Sequence, residues 1–266
     1  MNEQATMDSR LEVLRRDMPD PFNMPRQWDV FFAHPVAREL LAGDSGVERL
    51  LAYLESQPAP ARARVAVILL SRRGDDPVYR RLLGVLDHSD RQLAEAFEPG
   101  FWLLSRPHAQ MARDLVALVD ATHRPFPLLL LQRPVAAEVR GSLEKFIRWR
   151  EMPLSAYALY AYAYVPEPRD RALLEMVAGW LDEPALCSTA GLELLRMGAG
   201  GGSAGIRAGL QAADPALREV VYYRLSPYLA KDLILAAHYD AAAAPASQQA
   251  ATDRLIDGLR RREVQP

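Results

Sequence analysis

The sequence predicts an all-α fold, a right-handed α-solenoid of about six or seven antiparallel helical hairpins. Three observations predict it. A phrase made of an apolar helix, an acidic residue, a nearby proline and a second apolar helix recurs along the chain. Its apolar residues fall at helical spacing, and no stretch alternates with the period of two that a half-buried strand requires.

The phrase is clearest in the second half. Trp149 and Trp180 are 31 residues apart, as are Glu151 and Asp182, and Pro153, Pro184 and Pro215 follow at the same interval. Earlier copies keep only the acidic landmark, at Glu55, Asp87 and Asp120, with steps of 32, 33 and 31 up to Glu151. An acidic residue followed by proline suits a helix start, because the carboxylate can cap free N–H groups and proline fits the first helical position. Each unit therefore reads as two antiparallel helices with a tight turn at the landmark. Leu186, Ala190 and Leu194, and likewise Leu217, Val221 and Leu225, mark the buried stripe of the second helix. A lone hairpin cannot bury both faces, whereas a stack of hairpins can.

In chain order, Asp8 to Asp17 reads as a short leading helix and Met18 to Pro35 as a proline- and aromatic-rich lead-in, so that residues 1–35 precede the repeat. Residues 36–262 form the solenoid, with hairpins at 36–73, 76–105, 108–133, 134–165, 168–198, 202–229 and 230–262. The breaks are Arg72 to Asp76, Pro166 to Pro168 and the glycine run Gly198 to Gly205, the last read as a flexible loop between helices. Ala241 to Ala246 can extend a helix or form a loop before Pro245. Arg260 to Pro266 reads as a frayed charged tail.

Asp214–Pro215–Ala216–Leu217–Arg218 resembles the aspartate-proline-x-aliphatic-arginine turn of the HEAT-like repeat proteins, and Asp182 to Leu186 is a copy without the arginine. The resemblance covers residues 140–230 by motif and 45–140 by spacing, with a step shorter than the usual HEAT unit of about 40 residues. It implies a curved helical stack that holds partners along one face, and it transfers no catalytic residue.

Composition narrows the function. Half of the residues are hydrophobic, a quarter are charged and the net charge is −2, so no global positive field draws phosphate backbones. Nucleic acid is therefore not the expected partner. Only Lys145 and Lys231 are lysines, and the arginine- and alanine-rich usage is that of a GC-rich bacterial genome. The lone Cys187 excludes an internal disulfide framework. Met1 to Arg16 has no apolar run of a secretory signal, and the longest apolar runs are too short to cross a bilayer, so a cytoplasmic location is expected.

Chemistry-bearing motifs fail on context. Gly201 to Gly205 matches G-x-S-x-G, and Gly200, Gly202 and Gly205 fit G-x-G-x-x-G, but both need a preceding strand where a helix is predicted. The histidines at 34, 88, 108, 123 and 238 never pair at metal-binding spacing. Asp75–Asp76 before Pro77 reads as a helix cap, and Cys187 as a packing residue. No catalytic residue, metal or cofactor is expected.

The expected working surface is a stripe on the second helices. Counted from the prolines, positions four and seven are Tyr157 and Tyr160, Ser188 and Gly191, and Glu219 and Tyr222. Counted from Arg91, they are Glu95 and Glu98, and a further turn brings Tyr164 and Trp102. The set predicts a concave trough of tyrosines and carboxylates suited to a protein partner with a basic surface, with a dip at Ser188 and Gly191. The competing reading packs the tyrosines between hairpins. Tyr223 and Arg224 are adjacent candidates. The function expected is a non-enzymatic protein-binding module, a bacterial immunity protein that inhibits a toxin or an adaptor. The alternative is similar to the HEAT-like DNA glycosylases that act on alkylated bases, with Trp149 and Trp180 in an aromatic cleft. HEAT-like lyases that attach bilins share the scaffold, without a supporting residue here.

Overall fold

A computed structural model describes residues 3–18, 25–131, 137–165 and 169–263, and among these residues every regular element is helical. The chain divides into two compact units, Met1–Ser142 and Leu143–Pro266.

The first unit contains α1 (Glu3–Arg16), α2 (Pro25–Ala33), α3 (Pro35–Leu41), α4 (Gly43–Glu55), α5 (Pro60–Ser71), α6 (Asp76–His88), α7 (Arg91–Phe101), α8 (His108–Thr122) and a 3-10 turn (Phe126–Leu130). Residues Val65 to Ser71 of α5 are all buried. This is why that helix is apolar on every side: α1, α3, α4 and α7 all pack on it. At its tightest point a Cβ on Gly100 of α7 would stand 2.7 Å from the Ile68 nitrogen, so only glycine lets the two helices meet there. Helices α4, α6 and α8 contact one another in succession, and so do α5, α7 and the 3-10 turn.

The second unit takes in most of α9 (Arg140–Trp149), then α10 (Leu154–Tyr162), α11 (Arg171–Ala178), α12 (Pro184–Arg196), α13 (Ser203–Leu210), α14 (Pro215–Leu225), α15 (Lys231–Ala237) and α16 (Gln249–Glu263). Here α12 is central, packed on α10, α11, α13 and α14. One apolar cluster joins Leu192, Ile206, Leu210, Val221, Leu225, Leu255, Ile256 and Leu259.

The acidic landmarks all fall where one helix gives way to the next. Glu55, Asp87 and Asp120 lie in the last turns of α4, α6 and α8, and Glu151, Asp182 and Asp214 precede α10, α12 and α14. Their chemistry differs from the expected cap. Asp214 does accept from the Ala216 amide at 2.9 Å. Asp182 instead pairs with Arg150, Glu55 pairs with Arg81, and the cap position of α12 is Glu183, whose side chain makes no capping bond. Caps are supplied at other helix starts by Asp75, Asp90 and Asp170.

Several boundaries move. The lead-in holds α2 and the first residue of α3, and its residues 19–24 lie outside the described residues, as do Pro166 to Pro168. The second element after α8 is only the five-residue 3-10 turn, because Pro125 and Pro127 remove two backbone donors. Ala241 to Ala244 form a loop, and α16 continues through Glu263, four residues into the expected tail. No helix among the described residues is long and apolar enough to cross a membrane.

Candidate functional site

The glycine run is more than a loop. A Cβ on Gly205 would lie 2.2 Å from the Cys187 carbonyl oxygen, one on Gly191 would lie 2.5 Å from the Gly202 oxygen, and one on Gly209 would lie 2.4 Å from the Ser188 Cβ. Helix α12 thus meets α13 and the residue before it backbone to backbone at Cys187–Gly205 and Gly191–Gly202, and Gly209 lies against the Ser188 side chain. The expected dip at Ser188 and Gly191 is therefore not on the surface, since α13 fills it. Cys187 is wholly buried in this contact, and burial pushes its thiol up to about 11.

The same correction applies to the phase of the stripe. In α12 and α14 the prolines occupy the first helical position, whereas Pro153 is the N-cap of α10, so counting from proline does not return one common face. Of the two positions expected to face outward on α14, Glu219 is exposed and Tyr222 is not; Ala216, Val220 and Tyr223 are exposed as well. Tyr223 is 78% exposed and Val220 52%. Glu219 stands beside them, exposed, while Tyr222 is half-buried with its ring 4.8 Å from that of Tyr239. Tyr239 is itself fixed by its hydroxyl, which donates to the Leu210 carbonyl at 2.6 Å. Glu219, Val220, Tyr222, Tyr223 and Ser226 line an open cleft of about 410 Å³.

On α10, Tyr157 is half-buried and Tyr160 is 42% exposed, and Tyr164, two residues past the end of the helix, is half-buried. The Tyr160 and Tyr164 hydroxyls are 3.0 Å apart and their rings meet edge to face at 5.5 Å. The buried neighbour Tyr162 donates to Glu144 at 3.1 Å and accepts from the Asp170 amide at 2.8 Å.

In the first unit, Glu95 is exposed and paired with Arg91 at 2.8 Å, and Glu98 is half-buried. Trp102 is half-buried, with its indole N–H donating to the Leu130 carbonyl at 2.9 Å and its ring against Phe101 and His108. It secures the 3-10 turn. The expected residues thus form two groups, Glu95, Glu98 and Trp102 in one unit and the remaining five in the other.

Spacing gave no hint of the network that joins α10, α12 and α14. The Glu193 carboxylate, with its side chain 3% exposed, accepts from Arg169 at 2.5 Å, Arg196 at 2.8 Å and Arg224 at 3.0 Å. Arg196 also donates to the Ala163 carbonyl at the end of α10, and Arg169 to that of Val165. Burial pushes the Glu193 carboxyl up, against the downward pull of Arg169 and Arg224. One residue of α12 therefore ties down both α10 and α14. Arg218, also buried, spans a similar gap, donating to the carbonyls of Ala212, Ala213, Ala241 and Ala243 at 2.5–3.0 Å.

The histidines end or begin helices or flank them. His34 accepts from the Val36 amide, His123 and His238 adopt left-handed conformations at the ends of α8 and α15, and His108 packs on Trp102. Trp149 and Trp180 each carry a cation, Lys145 and Arg150, at 5.0 Å from the ring. Among the described residues no three His, Cys, Asp or Glu side chains stand close enough to hold a metal. No family model, curated protein or solved structure matches this chain.

Proposed function

We propose that this chain is a non-enzymatic, cytoplasmic protein-binding module of the HEAT-like α-solenoid type, a bacterial immunity protein or adaptor that holds its partner on the concave face formed by its second helices. The succession of contacts α10–α12–α14 in one row and α11–α13 in another, with α12 packed on both of its neighbours in chain order, supports stacked hairpins.

The observation that carries the binding role is the surface of α14. Val220 and Tyr223 expose apolar area beside a cleft, on a helix anchored through Arg218, Arg224 and Leu225. A large aromatic side chain on a rigid helix loses little entropy when covered and supplies rigid amphipathic contact, which is why tyrosine is enriched at interfaces and their hot spots. The Tyr160–Tyr164 pair at the C-terminal end of α10 offers a second such surface.

Affinity capture from the source cells tests this reading, with the full chain and a folded Tyr160→Ala/Tyr223→Ala variant as parallel baits. A protein retained by the parent and depleted by the variant is the expected result. A partner held equally by both removes these faces from the interface. Excision of an alkylated base from duplex DNA by the purified chain refutes the non-enzymatic reading in favour of a HEAT-like glycosylase.

A further inference from the structure

The exposed face of α14 carries one carboxylate, that of Glu219. Both arginines of this helix are committed elsewhere, Arg218 to backbone carbonyls and Arg224 to Glu193. Glu219 has no ion-pair or hydrogen-bond partner among the described residues, in contrast to Asp8, Asp29, Asp44, Glu48, Asp76 and Asp253, each paired with an arginine. The aromatic rings tell the same story. Phe32 and Tyr79 have a guanidinium 4.2 Å from the ring centre, and Trp149 and Trp180 a cation at 5.0 Å. Tyr223, the most exposed large hydrophobic side chain of the second unit, has none among the described residues.

Glu219 and Tyr223 are one helical turn apart, so the carboxylate and the ring share a face. A cation set against the ring is attracted by its quadrupole and, at the same place, by the carboxylate. Val220 adjoins both and offers aliphatic surface. We infer that this cleft takes an arginine or lysine side chain of the protein partner, seated between Tyr223 and Glu219 with an aliphatic neighbour against Val220. The inference rests on the reading of α14 as a protein-binding face and adds the chemistry of the residue it selects.

A displayed library of random peptides, selected on the purified full chain, provides the test. Expected are binders enriched in arginine or lysine next to an aliphatic residue, whose affinity falls about tenfold on Glu219→Gln and on Tyr223→Ala and weakens with added salt. Binders that depend on Val220 and Tyr223 yet show no cationic enrichment, or ignore Glu219→Gln, overturn this inference and leave the protein-binding face standing. If no selected binder responds to Val220→Asp or Tyr223→Ala, both fall. The substituted side chains are exposed, and circular dichroism of each variant verifies that it is folded.

Discussion

Replacing Glu193 by glutamine removes one negative charge and keeps the shape of the side chain. Its consequence divides among three guanidiniums. The Arg196 and Arg224 side chains are 44% and 33% exposed, so water takes over most of what they lose, at a cost of about 0–1 kcal/mol each. Arg169 is 3% exposed and keeps its bond to the Val165 carbonyl and a neutral amide oxygen in place of the carboxylate, so it becomes a buried cation without a counter-ion. Stranding one partner of a buried pair costs about 3–5 kcal/mol. Denaturant unfolding followed by circular dichroism should show that loss, with a thermal midpoint lower by roughly 6 °C or more. The Arg169→Met/Glu193→Leu double variant removes both charges and should recover most of the stability, because an apolar pair of similar size carries no desolvation cost. A Glu193→Gln variant within about 1 kcal/mol of the parent, or a double variant no more stable than the single one, would refute the assignment of the cost to Arg169.

Other measurements follow from the same contacts. Gly205→Ala should destabilise the chain by about 1–3 kcal/mol or more, because the Cys187 carbonyl stands where the new methyl must go. Gly84→Ala, at an open position of α6, should stabilise it by about 0.5–1 kcal/mol, and denaturant midpoints compare the two. Cys187, buried and with its thiol held up to about 11, should resist a disulfide reagent at pH 8 until α12 and α13 part, and should react at once in denaturant. Rapid labelling of the folded chain would contradict that burial. Hydrogen bonding to Arg207 holds Asp253 below its ordinary 3.8, so the pair's stabilisation is present above that pH and is lost as the pH falls through the lower folded value. The stability difference between the parent and Arg207→Gln should therefore be present at pH 6 and vanish in strong acid.

Helix order was legible because hydrophobic periodicity and an acidic step of 31–33 residues are local signals, and the step marks real helix junctions from Glu55 to Asp214. Which way each helix faces was not legible to the same degree. A one-residue error turns a helix by about 100°, and prolines at different helical positions, the N-cap in α10 and the first turn in α14, leave the register between their stripes unset. Tyr223 lies one position beyond the expected Tyr222 and is the more exposed of the two. The Gly191–Gly202 and Gly205–Cys187 contacts escaped because a glycine in a loop and a glycine under a neighbouring backbone look alike in sequence. Arg169 and Glu193 are 24 residues apart, and nothing in their local context distinguishes a buried pair from two solvated charges. The arginine of the HEAT-like turn was noticed as a motif, but the four carbonyls it gathers come from two loops that only the fold brings together.

That gathering sets where the chain can be cut. Arg218 draws two of its four acceptors from Ala241 and Ala243, and Tyr222 takes its ring partner from Tyr239. A fragment ending after α14 would keep Val220 and Tyr223 in sequence while leaving a guanidinium half-satisfied and one side of the helix bare. The smallest piece that preserves the α14 face must therefore continue past Ala243, and the loop that looked like featureless alanine is part of its foundation.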